Sequence, residues 1–306
     1  MVKYSIIIPI HNNGQTIART MQSVLAQTKQ FDEIILVENG SSDHSRAFVQ
    51  MYAHEDARVK VIIMEQGGVS RARNAGIRAA NGDYLFFLDG DDTIHPDLLA
   101  TLDAQIQQLS VNDARIDLFE VNFNHYFSTT TYATNPFILP HGQYTGTAYI
   151  EETLKSFQDE SKFMVWRFLY RTDFFTAKHR FFDPSLQLFE DIAFMHKYLT
   201  KDVTIYVMGR TPLVDYLFHA ESLTRGQSRD FAGAMQALEA QIEQPTRRQR
   251  YYLLAFASKV LTQAQFIRFA RNNAHYGVSR AYVAYQRLTF ERFLRRIKRR
   301  WKQSYD

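Results

Sequence analysis

Apolar positions in the first hundred residues gather into four short runs, within Ser5–Ile10, Glu33–Val37, Val59–Met64 and Tyr84–Leu88. Continuous runs of this length, rich in Ile, Val and Phe and bounded by Asn, Gly, Ser and Asp, predict strands buried on both faces. Between them the spacing turns helical, over residues 14–27 and again after Gly67-Gly68. Four strands with helical crossovers in under 100 residues make a parallel α/β sheet.

Chemistry gathers where these strands end. The segment Asn81-Gly-Asp-Tyr-Leu-Phe-Phe-Leu-Asp-Gly-Asp-Asp92 runs from an apolar strand straight into Asp89, Asp91 and Asp92. Open α/β sheets bind ligands at the carboxyl ends of their strands. Alternating aspartates offer hard oxygens to Mg²⁺ or Mn²⁺, a pairing suited to a metal that also holds a diphosphate. The plainer alternative is an acidic strand-to-helix turn with Asp92 or Thr93 as an N-cap. Gly67 and Gly68 fit a tight turn that lets backbone approach a ligand. They do not make a dinucleotide fingerprint, which would need G-x-G-x-x-G directly after the first strand.

Taken together, Ser5-Ile-Ile-Ile-Pro-Ile-His-Asn12, Val37-Glu-Asn-Gly-Ser41, Gly67-Gly-Val-Ser-Arg-Ala-Arg-Asn74 and Asp89-Gly-Asp-Asp92 resemble the motif series of the family 2 glycosyltransferases. The likeness covers roughly residues 3 to 100 and recurs near residue 190. It implies an inverting sugar-nucleotide enzyme with the GT-A fold, an α/β Rossmann-like sheet flanked by helices. On that pattern Pro9, His11, Glu38, Asn39, Gly68, Arg73, Asp89 and Gly90 would line the nucleotide-sugar site and Asp91 would hold the metal. Where the family carries two aspartates this chain has Glu38-Asn39, so either residue could accept the ring N–H of uracil. A guanidinium at Arg73 could hold nucleotide or diphosphate oxygens through paired hydrogen bonds; alternatively it is a solvated helix charge.

Leu188-Phe-Glu-Asp-Ile-Ala-Phe-Met-His-Lys197 resembles the helix start at which the family places its catalytic base. Asp191 would take the acceptor proton and Glu190 would orient the acceptor or Asp191, a task a carboxylate suits. An acidic first turn complementing the helix dipole is the plainer account. By the same resemblance His219, in Tyr216-Leu-Phe-His-Ala-Glu-Ser-Leu-Thr224, would touch metal or phosphates. Trp166, beside Arg167, and Asp92 would face the acceptor, although a Trp in an apolar strand is also an ordinary core residue. Asn122–Pro140, rich in Thr, Tyr and Phe, is expected at the acceptor-side surface.

At 306 residues the chain accommodates a large domain and an appendage. We expect a glycosyltransferase domain over residues 1–244, with a donor half to residue 100 and an acceptor half from 101, and a basic helical tail over 245–306. Residues 246–306 hold 15 of the 36 Lys and Arg against only Glu291 and Asp306. Phe290-Glu-Arg-Phe-Leu-Arg-Arg-Ile-Lys-Arg-Arg-Trp301 has the composition of helices that lie in anionic membrane interfaces. A packed helical subdomain and a nucleic-acid contact are the alternatives, and no nucleic-acid partner is expected. The chain has no Cys, which excludes disulfides and thiolate metal sites and fits a reducing bacterial cytoplasm. Neither a secretory leader nor a spanning segment is expected, because few apolar residues precede Pro9 and no run reaches about 18.

The resulting expectation is a Mg²⁺- or Mn²⁺-dependent transferase on the inner face of the cell membrane. It would move a sugar from a nucleotide sugar, most simply a UDP-sugar, to a saccharide or lipid-linked glycan. A nucleotidyltransferase is disfavoured because no Gly-rich, Lys-bearing phosphate loop follows the first strand; a non-catalytic scaffold is disfavoured by the retained Asp89, Asp91 and Asp191.

Overall fold

A computed structural model describes residues 2–217 except 66, 112–113, 127–130, 136–138 and 156–162, together with a few positions beyond 217. The chain divides into two compact units, Met1–Gly226 and Gln227–Asp306. His219 and the basic tail lie outside the described residues, apart from isolated positions in the tail.

The first unit is built on one ten-stranded sheet in the order β3-β2-β1-β4-β9-β6-β10-β5, with β7 pairing β6 and β8 pairing β10. The strands β1 (Tyr4–Ile10), β2 (Glu33–Asn39), β3 (Val59–Met64) and β4 (Tyr84–Phe87) are all parallel, as the four apolar runs predict. Residues of β1 and β2 are buried throughout, the signature of a sheet covered on both faces. The helices α1 (Ile17–Leu25), α2 (Ser45–Glu55) and α3 (Val69–Ala79) form the crossovers. Gly76 lets α3 settle onto β1: a Cβ there would lie 2.3 Å from the Ile7 side chain.

Beyond β4 the topology changes. The two-residue strand β5 (Thr93–Ile94) follows the aspartates directly, and α4 (Leu98–Ser110) begins only after Asp97. Neither Asp92 nor Thr93 therefore caps a helix. The chain next forms β6 (Leu118–Tyr126), β7 (Tyr132–Thr134), β8 (Gly142–Thr145) and α5 (Gly146–Lys155). A 3-10 turn at Val165–Arg167 leads into β9 (Phe168–Arg171), α6 (Thr172–Thr176), α7 (Glu190–Tyr198) and the long β10 (Thr204–Leu217). Strand β9 runs antiparallel between β4 and β6, and β6 lies parallel to β10. Since β9 is antiparallel to both neighbours, β6 and β10 point the same way as β4. Their carboxyl ends therefore share the edge of the sheet where Asp89 emerges.

Candidate active site

The loops after β1 and β2 are laced together by side chains. His11 Nδ1 bonds to the Asn39 carbonyl at 2.9 Å, and the Asn12 amide N–H donates to Ser41 Oγ at 3.1 Å. The Asn13 and Gly14 amides donate to Ser45 Oγ and to Asp43, each at 2.8 Å. Asn12 sits at φ 56°, a conformation that Asn tolerates better than most side chains. Short polar residues in both loops thus fix the floor of a cleft before any ligand arrives.

Within this floor the Glu38-Asn39 ambiguity separates. Glu38 is fully buried, with one oxygen accepting from the Ser41 amide at 2.6 Å and the other held by Arg46 Nε at 3.0 Å. Burial acts to raise its pKa, but the Ser41 and Arg46 contacts outweigh it and hold the carboxyl below its ordinary value. Asn39 is 8 % exposed, and its Oδ1 is buried with no hydrogen-bond partner among the described residues. Gly67 makes room for that oxygen, since a Cβ there would stand 2.7 Å from it. Glu38 therefore braces the turn, while the Asn39 acceptor is unused by it. Gly68, at φ 80° with clear space where a Cβ would point, caps α3 beside it.

The aspartate turn is tied to the first helix. Thr16 and Thr20 donate to the Gly90 carbonyl at 2.8 and 3.1 Å, and Arg19 Nη2 donates to the Asp91 carbonyl at 2.7 Å. Gly90 packs so closely on Asn13 and Ile10 that a Cβ would meet them at 3.0 Å or less. Gly90 and the wholly buried Pro9 serve to shape the cleft.

At the centre lies Arg73, its side chain only 3 % exposed. Nη1 donates to Asp191 at 2.7 Å and Glu190 at 3.0 Å, while Nη2 donates to Asp89 at 3.1 Å. Phe182 lies under the guanidinium, 5.4 Å from its ring centroid, and is itself clamped by paired bonds to Asn74 at 2.9 Å. Arg73 is thus neither solvated nor turned outward; it is clasped by the proposed base, that base's neighbour and the first aspartate of the turn. One cation among three carboxylates leaves the cluster net negative. The exposure of the acids rises outward, from 9 % at Asp191 through 15 % at Glu190 to 32 % at Asp89, so the excess charge faces the cleft.

These contacts set the protonation chemistry. Burial, against the pull of Arg73 and with Glu190 adding repulsion, pushes the Asp191 carboxyl up to about 7. Asp89 is raised by the same burial, partly offset by Arg73. Arg73 resists burial and stays charged because Asp191, Asp89 and Glu190 surround it. The second oxygen of Asp191 accepts the Val165 amide at 3.3 Å. Phe189, the residue before α7, sits at φ 63°, an uncommon backbone state for a bulky side chain that aims the Glu190-Asp191 pair inward.

Two expected acceptor residues play other parts. Trp166 is 1 % exposed, stacked on Tyr216 at 5.4 Å and edge-on to Phe123 at 5.0 Å, so neither ring face is open to a sugar. Asp92 is fully buried and accepts the Leu217 amide at 2.9 Å, pinning the end of β10 to the aspartate turn. Burial and the charges of Asp91 and Asp89 push its carboxyl well above the ordinary range. Among the described residues no three His, Cys, Asp or Glu are arranged to hold a metal by themselves. The donor set at Asp89 and Asp91, hard oxygens at the mouth of a negatively charged cleft, fits Mg²⁺ or Mn²⁺ whose remaining ligands come from a diphosphate and water. Asn74, Asn12 and Phe182 had no role assigned from sequence; only the Asn of the Ala-Arg-Asn motif gave a local hint.

The family profile of glycosyl transferase family 2 matches residues 5–180 of this α/β unit. The chain belongs to that family. It is 33 % identical over 190 residues to the uncharacterized glycosyltransferase EpsJ of Bacillus subtilis, covering 62 % of this chain and 54 % of that protein. It is 29 % identical over 243 residues to the succinoglycan biosynthesis protein ExoO of Rhizobium meliloti, covering 76 % and 66 %. The chain thus spans about half to two thirds of these relatives. Among solved structures, S. aureus TarS in complex with UDP superposes with a TM-score of 0.64 at 19 % identity, covering 87 % of this chain and 78 % of that one. The complex of TarS with UDP-GlcNAc gives the same TM-score. The shared fold is GT-A.

Proposed function

We propose that the protein is an inverting glycosyltransferase that moves a sugar from a UDP-sugar to a saccharide or lipid-linked glycan during surface polysaccharide synthesis. The carrying observation is the Arg73 cluster, which brings Asp89, Glu190 and Asp191 together from segments more than a hundred residues apart in the chain. The UDP and UDP-GlcNAc complexes of TarS support the donor class, and the role of ExoO in succinoglycan biosynthesis supports the pathway class.

In this reading Asn39 Oδ1 accepts the uracil ring N–H, and Gly68 and His11 border the nucleotide. Asp191 removes the proton of the acceptor hydroxyl as that oxygen attacks the anomeric carbon. The bond from that carbon to the diphosphate breaks on the opposite face, and the nucleoside diphosphate leaves with the electron pair. Glu190 and Arg73 hold Asp191 in place, and Arg73 offsets the charge of the paired acids. A divalent cation bound near Asp89 and Asp91 would stabilise the charge on the departing diphosphate.

The test is a thermal-shift panel of UDP, UDP-glucose, UDP-galactose and UDP-GlcNAc with and without Mn²⁺. Ligand binding raises apparent stability by mass action, so UDP compounds should raise Tm, more so with Mn²⁺, and Asp91→Ala should remove the Mn²⁺ increment. No shift with any UDP compound sinks the donor assignment; an unchanged increment in Asp91→Ala sinks the metal role.

The basic tail carries a second proposal, attachment to the inner membrane face. No helix among the described residues is long and apolar enough to cross a membrane. Each Lys or Arg near an anionic surface contributes about 1 kcal/mol. The full chain should float with anionic vesicles at low salt and be released at high salt; remaining in solution at low salt contradicts this.

A further inference from the structure

Among the described residues, Tyr132 is the most exposed Phe, Tyr or Trp, at 55 %. It stacks on Tyr126 with ring centroids 4.9 Å apart and planes 22° from parallel. The two are direct cross-strand partners on β7 and β6. One row back on the same face of the sheet stand Thr134, Asn124 and Asp215, themselves register partners. Thr134 Oγ1 donates to Asn124 Oδ1, and Asn124 Nδ2 donates to Asp215 Oδ1, each at 2.8 Å. The register places the two rows two residues apart along β6, at Asn124 and Tyr126.

The position of this patch relative to the reaction centre follows from the ladder. Tyr126 is level with Leu217 of β10, whose amide is bonded to Asp92, and Asp215 is level with Thr93 of β5. Strands lie about 4.8 Å apart, so the tyrosines stand two to three strands, roughly 10–15 Å, to the side of the aspartate turn. That is too far to touch the reacting sugar and close enough for a ring joined to it. An isolated exposed Tyr would need no explanation. A stacked pair beside a row of amide, hydroxyl and carboxylate groups, on the carboxyl edge of the sheet, is different. An open aromatic face packs against the C–H face of a pyranose, while the adjoining polar row meets its hydroxyls.

We infer that Tyr126 and Tyr132, with Asn124, Thr134 and Asp215, form a subsite for a sugar ring of the acceptor glycan, a unit or two behind the reacting hydroxyl. The inference rests on the glycosyltransferase reading and specifies that the acceptor is an oligosaccharide rather than a single sugar or a bare lipid.

The test uses the full chain saturated with UDP. Methyl glycosides and tetrasaccharides of glucose, galactose and N-acetylglucosamine are titrated against it, with binding read by saturation-transfer NMR. At least one tetrasaccharide should bind the wild type, about tenfold more weakly to Tyr132→Ala, and with near-wild-type affinity to Tyr132→Phe. The UDP thermal shift of Tyr132→Ala should match the wild type, which separates loss of the subsite from loss of the fold. Equal tetrasaccharide binding by Tyr132→Ala, or no tetrasaccharide binding by a wild type that does bind UDP, overturns the subsite. A wild type that fails to bind UDP overturns the donor reading on which the subsite rests.

Discussion

Arg73 and Arg167 are both buried against carboxylates, and their surroundings differ in a way that separates chemistry from architecture. Arg167 is fully buried and ion-paired with Glu120, itself buried, beside the ring of Phe123 at 5.2 Å. Burial and the Glu120 charge raise the Tyr149 phenol well above its ordinary value, so that hydroxyl stays neutral against the pair. Both members of this pair lie in the interior. Arg73 is equally buried but shared among three acids whose exposure grows toward the cleft. The interior pair ties the 3-10 turn to β6; the Arg73 cluster keeps a raised carboxyl among acids that grow more exposed outward. Burial alone does not mark a functional charge here. Access does.

Breaking the interior pair should give the largest effect. Arg167→Ala leaves Glu120 buried without its cation and should cost about 3–5 kcal/mol in urea unfolding. A double change, Glu120→Leu with Arg167→Met, should recover most of that loss, since an apolar pair can replace a buried ion pair. The parallel repair at the other arginine, Arg73→Met with Asp191→Leu, should fail to restore stability, because Asp89 and Glu190 remain. Equal recovery at both sites would erase the distinction. Next in size, Asp191→Asn should leave the UDP thermal shift intact and lower turnover at least about a hundredfold, the usual scale for losing a general base. Smaller still, Asn39→Ala should weaken UDP binding by roughly 1–2 kcal/mol, the scale of one lost hydrogen bond. If Glu38→Gln weakens UDP binding more at unchanged stability, the reading residue is Glu38.

Much of the donor half was legible because its strands are continuous apolar runs and its motifs sit directly at their ends. The sheet β1 to β4 and the turn at Gly67-Gly68 fall where periodicity and punctuation put them, and α7 begins at Glu190, where the family resemblance placed a helix start. The second half resisted because β9 inserts antiparallel between β4 and β6, a long-range pairing without a local signal. Arg73 shows the same limit. Its neighbours along the chain suggested a ligand-facing or solvated charge, whereas its partners lie 16 to 118 residues away. Trp166 stood in an apolar segment, and there the ordinary reading of a buried Trp was the correct one. The different surroundings of Glu38 and Asn39 had no local signal either, since Arg46 reaches the Glu38 carboxylate from the following helix.

The central claim is that Asp191, raised by burial beside a shared arginine, is the base of the transfer reaction. A base works when deprotonated, so a raised pKa means that activity is lost as pH falls through about 7. The direct measurement is the pH profile of kcat/KM for UDP release from the preferred UDP-sugar, in the wild type and in Asp191→Asn. The account predicts a wild-type acid limb centred near 7 and a low residual rate in Asp191→Asn from which that limb has gone. A limb near 4, the ordinary carboxylate range, or an Asp191→Asn profile that keeps the wild-type limb, would contradict it.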